Sequence, residues 1–368
     1  MPWIIDSHED LAFNILALGR DYLRSAHESR RIEQDTNIPE MAGGHTLIGW
    51  PEYQLGQVAL VFGTLFIVAE RYRQKGDESQ VYHNEQDARR LYQQQIEEYL
   101  RLAEYHPDQF RLVRNQADLK AVLSAWEEAP AEYPTKTHPV GLVISMEGAE
   151  GLGDPGPLEE YWEMGLRLVG PVWGGGQLCG GTKEPGGFTK EGRALLSRMA
   201  ELGYTLDISH MNDQSALEAL DLYPEAVIAS HANARALLKD ISGERHLTDQ
   251  VIRRLIERDG VMGVIPFNAF LYPGWKPSDD RALVTLDTLA AHIDHICQLA
   301  GDAHHAALGT DFDGGFGWPS VPLEINTIAD LQKLEPLLTR RGYRPEETAD
   351  ILGGNWRRLL ERTLPEHE

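Results

Sequence analysis

Cysteine is nearly absent: 368 residues contain only two, Cys179 and Cys297. That is too few for a disulfide framework, so a reducing compartment is expected. Basic residues are also scarce, with 34 Lys and Arg against 57 Asp and Glu, a formal charge of −23. Such a balance argues against a face that grips nucleic acid or an anionic membrane. Long apolar runs are missing. The longest, Val58 to Ala69, is about twelve residues and is interrupted by Gly63, whereas a spanning helix needs roughly 20. The opening Met1-Pro-Trp-Ile-Ile-Asp has neither the basic nor the apolar region of a signal peptide. A soluble, cytoplasmic protein with no membrane and no nucleic-acid partner is the expectation. No G-x-S-x-G elbow occurs, so a serine mechanism of the α/β-hydrolase kind lacks its nucleophile. The stretch Gly174 to Lys183 is rich in glycine but lacks the spacing and terminal Lys-Ser/Thr of a phosphate loop. It reads as a mobile loop over a site, and Cys179 within it has no base beside it.

What the chain does have is 42% hydrophobic residues, enough for a large core, arranged in a recurring pattern. Eight short apolar runs stand out: Trp3–Asp6, Val58–Phe66, Gly141–Met146, Gly165–Trp173, Tyr204–Ile208, Ala226–Ala229, Val261–Pro266 and Ala306–Gly309. Several are continuously apolar, as strands buried on both faces of a parallel sheet are. Between them lie amphipathic segments, among them Asn84–His106, Thr189–Leu202, Asn212–Tyr223, Thr248–Asp259 and Thr285–Ala300. Thr248 is a suitable N-cap, and Gly260 and Gly301 are natural stops. Strands alternating with helices imply parallel pairing through crossovers. Eight of them predict an α/β fold, a (β/α)₈ TIM barrel in one domain over residues 1–368. Its first and second βα connections, residues 11–56 and 67–139, are enlarged.

In such a barrel, chemistry sits where strands end and βα loops begin. The first exit reads Asp6-Ser7-His8-Glu9-Asp10, and in an extended segment His8 and Asp10 point the same way. The third gives Glu147 before Gly148, the fifth Asp207-Ile-Ser-His210, the sixth Ser230-His231, and the eighth Asp311-Phe-Asp313-Gly314. Each has an ordinary reading alone. A histidine after a strand can be a hydrogen-bonded structural residue, Glu147 can cap a turn, and Asp311 and Asp313 can be turn formers beside Gly314. Three histidines and three carboxylates (His8, His210, His231, Asp10, Glu147 and Asp311) converging from five exits are harder to attribute to loop polarity, and the set suits a divalent transition metal. The serines of the three Ser-His pairs are expected to turn away from the site. His292 and His295 are expected on the outside of the barrel, and His304 and His305 at the opposite rim. His27, His45, His83, His106, His138 and His367 lack a partner in sequence.

At these residues the chain resembles the membrane (renal) dipeptidase family, zinc-dependent members of the amidohydrolase-type barrels. The resemblance runs through Asp-x-His-x-Asp at the start, Glu-Gly after strand three, Asp-x-x-His, Ser-His-x-x-Ala and Gly-x-Asp-Phe-Asp-Gly. It implies two Zn²⁺, with other divalent transition metals as alternatives. His8 and Asp10 would hold one ion, His210 and His231 the other, and Glu147 would bridge them. It further implies hydrolysis of the amide bond of dipeptides by a metal-bridging hydroxide, with Asp311 as catalytic acid/base. Arg245 is nominated for the substrate's terminal carboxylate, across an insertion between His231 and Arg245. The family often forms homodimers. One departure stands out: Trp173 occupies the place of a histidine that contacts the scissile carbonyl. Trp can donate one N–H but cannot become cationic. This leaves hydrolysis of another small amide, lactam or ester, or a non-catalytic homologue that kept the fold, as alternatives.

Overall fold

Eight runs of apolar residues form eight parallel strands. The computed structural model describes residues 1–152, 156–239 and 243–366. In chain order the strands are β1 (Ile4–Glu9), β2 (Val58–Phe66), β3 (Val140–Glu147), β4 (Leu166–Gly170), β5 (Thr205–Asp207), β6 (Val227–Ile228), β7 (Met262–Val264) and β8 (Ala306–Leu308). Each pairs in parallel with its neighbour in sequence, and β8 returns to β1 through Asp6 and Leu308. The last gap, between β6 and β7, closes where Ala229 bridges Met262. There the Ala229 amide donates to the Val261 carbonyl and the Gly263 amide to the Ala229 carbonyl, at 3.0 and 2.8 Å. Helices cover the outside, so strands such as Val58–Leu65 are buried throughout. This explains why they read as continuous apolar runs.

Every strand expected from sequence is present, most shorter than its apolar run. Pro171, Val172 and Trp173 lie beyond the end of β4. Residue 110 begins a strand that the sequence reading lacked: Phe110–Leu112 pairs with Val140–Leu142 at the start of β3. It fills the place beside β3 that β4 takes from Ile144 onward. The enlarged connections also carry order. Residues 11–56 include helices Leu11–Leu18, Ala26–Glu33 and Trp50–Leu55. Residues 67–139 include a two-stranded sheet, Val68–Ala69 with Val81–Tyr82, and helices Glu85–Tyr105 and Gln116–Glu128. Asn84 and Thr248 cap their helices through side-chain oxygens, as the sequence suggests for Thr248. At the other end of that helix the left-handed residue is Asp259, φ 52°, not Gly260. Gly260 is instead pressed against the start of β6, where a Cβ would lie 2.6 Å from the Val227 carbonyl oxygen. Among the described residues no helix is long and apolar enough to cross a membrane.

Candidate metal centre

Glu147 ends β3 and stands between two sets of imidazoles. Its Oε1 lies 2.5 Å from His210 Nε2 and 3.6 Å from His231 Nε2, and its Oε2 lies 3.4 Å from His8 Nε2. His8 Nε2 is in turn 3.8 Å from both Asp10 Oδ2 and Asp311 Oδ1. Three triads have ligand atoms within 4.8 Å of one another: His8, Asp10 and Glu147; Glu147, His210 and His231; and His8, His231 and Asp311. The six residues nominated from five strand exits therefore meet in one place, and Glu147 belongs to both main groups. All six are buried, none more than 9% exposed.

The local backbone explains how short loops aim these groups. His210 and Asp311 both adopt left-handed conformations, φ 67° and 56°, which turn the side chains back over the strand ends. Such conformations are rare outside glycine and cost energy, and they cluster at functional sites. Gly314 is required by contact: a Cβ there would sit 2.0 Å from Asp311 Oδ1 and 2.9 Å from Asp10 Oδ2.

Each imidazole is held from behind by a hydroxyl. Ser230 Oγ lies 2.8 Å from His231 Nδ1 and donates to the Asp207 carboxylate. A hydroxyl that gives its proton to a carboxylate accepts from Nδ1–H, which leaves Nε2 as a bare lone pair facing Glu147. Thr182 Oγ1 donates to the His210 carbonyl and lies 3.4 Å from His210 Nδ1; Thr64 Oγ1 lies 3.4 Å from His8 Nδ1. Ser230 thus turns away from the cluster, as strand alternation predicts, while still reaching the far nitrogen of its own histidine. It supports the ring from the side opposite the cluster and is no nucleophile. Asp207 also accepts the Ser209 and Ser230 amides at 2.9 and 3.0 Å, a structural role. Asp313 is structural too. It accepts from the Leu47 amide, Tyr22 and Thr46 and lies 3.2 Å from Arg20 Nη1, tying the first connection to the eighth exit.

The electrostatics fit a bound cation. His8 Nε2, Asp10 Oδ1 and Glu147 Oε1 are buried with no hydrogen-bond partner among the described residues, an expensive arrangement unless something positive lies between them. Burial opposes charge on His8, but Glu147, Asp10 and Asp311 raise its pKa to about 10. In effect a proton on His8 does the work of a cation. Burial drives the Asp10 carboxyl up to about 7 despite His8. Burial also raises Asp311; His8 and Arg245 oppose the rise while Asp10 and Glu147 add to it. Glu147 goes the other way: its burial is outweighed by His210 and by the charged His8, which hold it well below the usual carboxylate range. Burial lowers His210 to about 4 and takes His231 well down, so both remain neutral donors. Mixed imidazole and carboxylate donors match zinc, manganese or cobalt.

A cavity of about 480 Å³ opens onto the cluster, lined by Asp10, Glu147, His210 and Asp311 and also by Arg245 and Trp173. Arg245 is buried; its Nη1 donates to the His231 carbonyl at 3.0 Å, while Nε and Nη2 have no partner among the described residues. The indole of Trp173 lies 6.1 Å from the His210 ring, and 5.4 Å and 5.6 Å from the rings of Phe66 and Tyr72. The glycine-rich stretch after β4 does lie over the site, but it is fastened. The Lys183 and Glu184 amides donate to the Gly174 carbonyl, and Arg71 bonds both Gly175 O and Glu184. Lys183 in this stretch also lines the cavity, and sequence reasoning missed it.

Three further histidines bond elsewhere. His292 is buried rather than outward-facing: its Nδ1 accepts the Ala234 amide at 3.1 Å. His295 bonds Asp249, and His305 bonds the Gly260 carbonyl. His367 lies outside the described residues.

Comparison with known proteins gives the family and the fold. The family model described as membrane dipeptidase (peptidase family M19) matches residues 2–366. An uncharacterised dipeptidase of Schizosaccharomyces pombe is 26% identical over 369 residues, 98% of this chain and 80% of its own length. A Klebsiella pneumoniae protein encoded in the pqqA 5′ region is 31% identical over 231 residues, 60% of this chain and 81% of that one. Among solved structures, a Rhodobacter sphaeroides metallopeptidase liganded with a phosphinate mimic of L-Ala-D-Ala superposes with a TM-score of 0.77. It is 21% identical and covers 98% of this chain and 99% of its own. The dipeptidase AC gives 0.76 at 22% identity over 99% of both chains. At these identities the structural likeness shows the fold, a (β/α)₈ barrel.

Proposed function

The chain belongs to the membrane dipeptidase family, peptidase family M19, and from that premise we propose that it hydrolyses the amide bond of dipeptides at a centre of two zinc ions. The observation that carries this reading is the shared position of Glu147 between two donor groups, with His8 Nε2, Asp10 Oδ1 and its own Oε1 buried and without hydrogen-bond partners among the described residues. In this reading His8 and Asp10 hold one ion, His210 and His231 the other, and Glu147 bridges. The ions supply Lewis acidity, lowering the pKa of water towards ~7 and polarising a carbonyl. Thr64, Thr182 and Ser230 orient the three imidazoles. Asp311 takes the proton of the attacking water and delivers it to the leaving amine. Its burial among like charges suits a carboxyl that must carry a proton during the cycle. Arg245 presents Nε and Nη2, one edge of its guanidinium, to the substrate carboxylate.

Trp173 beside His210 favours a second reading, a barrel metallohydrolase for another small amide, lactam or ester, because an indole cannot supply a cationic donor. A substrate panel on metal-loaded protein decides between them. The proposal expects free dipeptides to have the highest kcat/KM. Faster turnover of lactams, acyl-amino acids or esters would overturn it in favour of the second reading.

A further inference from the structure

The cavity has two charged ends on opposite arcs of the barrel rim. Arg245 and Phe270 follow β6 and β7, while Phe66 ends β2, Tyr72 follows it, and Trp173 and Lys183 follow β4. With the carboxyl end of a dipeptide at Arg245, its amino-terminal residue lies towards the β2–β4 arc. There Lys183 Nζ sits 4.2 Å from the centre of the Trp173 ring and 4.6 Å from that of Tyr72. Two electron-rich faces hold the ammonium at the cavity mouth. The backbone fixes it there as well, since the Lys183 amide donates to the Gly174 carbonyl at 2.6 Å. Neighbouring acids are otherwise engaged. Glu184 is bonded by Arg71 and Tyr72, Glu40 pairs with Lys75, and Asp77 accepts the Gln74 amide. Among the described residues no carboxylate lies within 4.0 Å of Lys183 Nζ.

We propose that Lys183 is a specificity-determining residue that selects dipeptides with an acidic side chain, Asp or Glu, on the amino-terminal residue. This rests on the dipeptidase reading above. An aspartyl or glutamyl side chain reaching the mouth meets an unpaired cation bracketed by rings, whereas a lysyl side chain meets repulsion. Burial lowers the pKa of Lys183, and Asp77 at the same cavity opposes that fall. Trp173 then serves as a platform for this cation rather than as a donor to the scissile carbonyl.

The test is kcat/KM for Asp-Ala, Ala-Ala and Lys-Ala on zinc-loaded wild type, Lys183→Met and Lys183→Glu, with metal content measured for each. The wild type should prefer Asp-Ala over Lys-Ala by about tenfold or more. Lys183→Met should bring that ratio down to within about threefold of unity, mainly through KM, and Lys183→Glu should invert it. A wild type that turns over Ala-Ala without charge preference, or a preference untouched by Lys183→Glu, overturns the proposal and leaves the dipeptidase reading standing. No turnover of any of the three by metal-replete wild type overturns both.

Discussion

Replacing Arg245 by Met tests the recognition of the substrate carboxylate. Arg245 is 7% exposed and has already lost most of its hydration in the free protein. Among the described residues only Nη1 is used internally. Nε and Nη2 form the edge that pairs side-on with a carboxylate, the geometry Arg20 shows with Glu33 at 3.0 and 3.2 Å. Truncating one partner of a buried, hydrogen-bonded charge pair costs about 2–5 kcal/mol. Taking about 3 kcal/mol at 1.4 kcal/mol per decade gives roughly a hundredfold in kcat/KM. The assay compares Ala-Ala with its C-terminal amide. Wild type should favour the free acid by about a hundredfold, and Arg245→Met should reduce that preference to less than about fivefold with metal content unchanged. An undiminished preference in Arg245→Met would refute the assignment and place the carboxylate elsewhere in the cavity.

Asp311→Asn should retain metal and lose most of kcat, on the order of 10²–10⁴-fold; an unchanged kcat removes Asp311 from proton transfer. Asp313→Asn should destabilise the fold by about 3 kcal/mol, because Arg20 loses a buried counter-charge. Urea unfolding measures this, and a loss under 1 kcal/mol contradicts the role given to Asp313. His292 accepts the Ala234 amide only when unprotonated, and burial lowers its pKa to about 4. The unfolded chain, near 6.5, binds the proton first. Its share of stability is therefore full above pH 6.5 and is lost as pH falls towards 4, by up to about 3 kcal/mol. His292→Asn should flatten the stability profile over that window, and an identical profile would rule the residue out as its source.

The barrel was legible because β1 to β8 are buried on both faces, so each strand announces itself as an apolar run bounded by polar turns. The metal residues were legible for a related reason: His8, Glu147, His210, His231 and Asp311 each follow or end such a run, and residue type alone sets them apart. Phe110–Leu112 escaped because three residues of mixed exposure leave no periodic signal. Ser230 was expected to turn from the site and does, but its support of His231 Nδ1 escaped because β6 stops at Ile228 and strand alternation gives no guide to contacts beyond it. Lys183 could not be found in sequence at all. Its position depends on Gly174, Tyr72 and Trp173, contacts that span 111 residue positions between Tyr72 and Lys183.

Metal stoichiometry measured together with activity tests the central claim most directly. Purified protein, stripped by a chelator and titrated with Zn²⁺, is predicted to bind about two ions per chain. Dipeptide hydrolysis should be absent in the stripped protein and return as the second ion binds. Full hydrolysis by metal-free protein, or a plateau at one ion, would contradict the shared carboxylate at Glu147 on which the account rests.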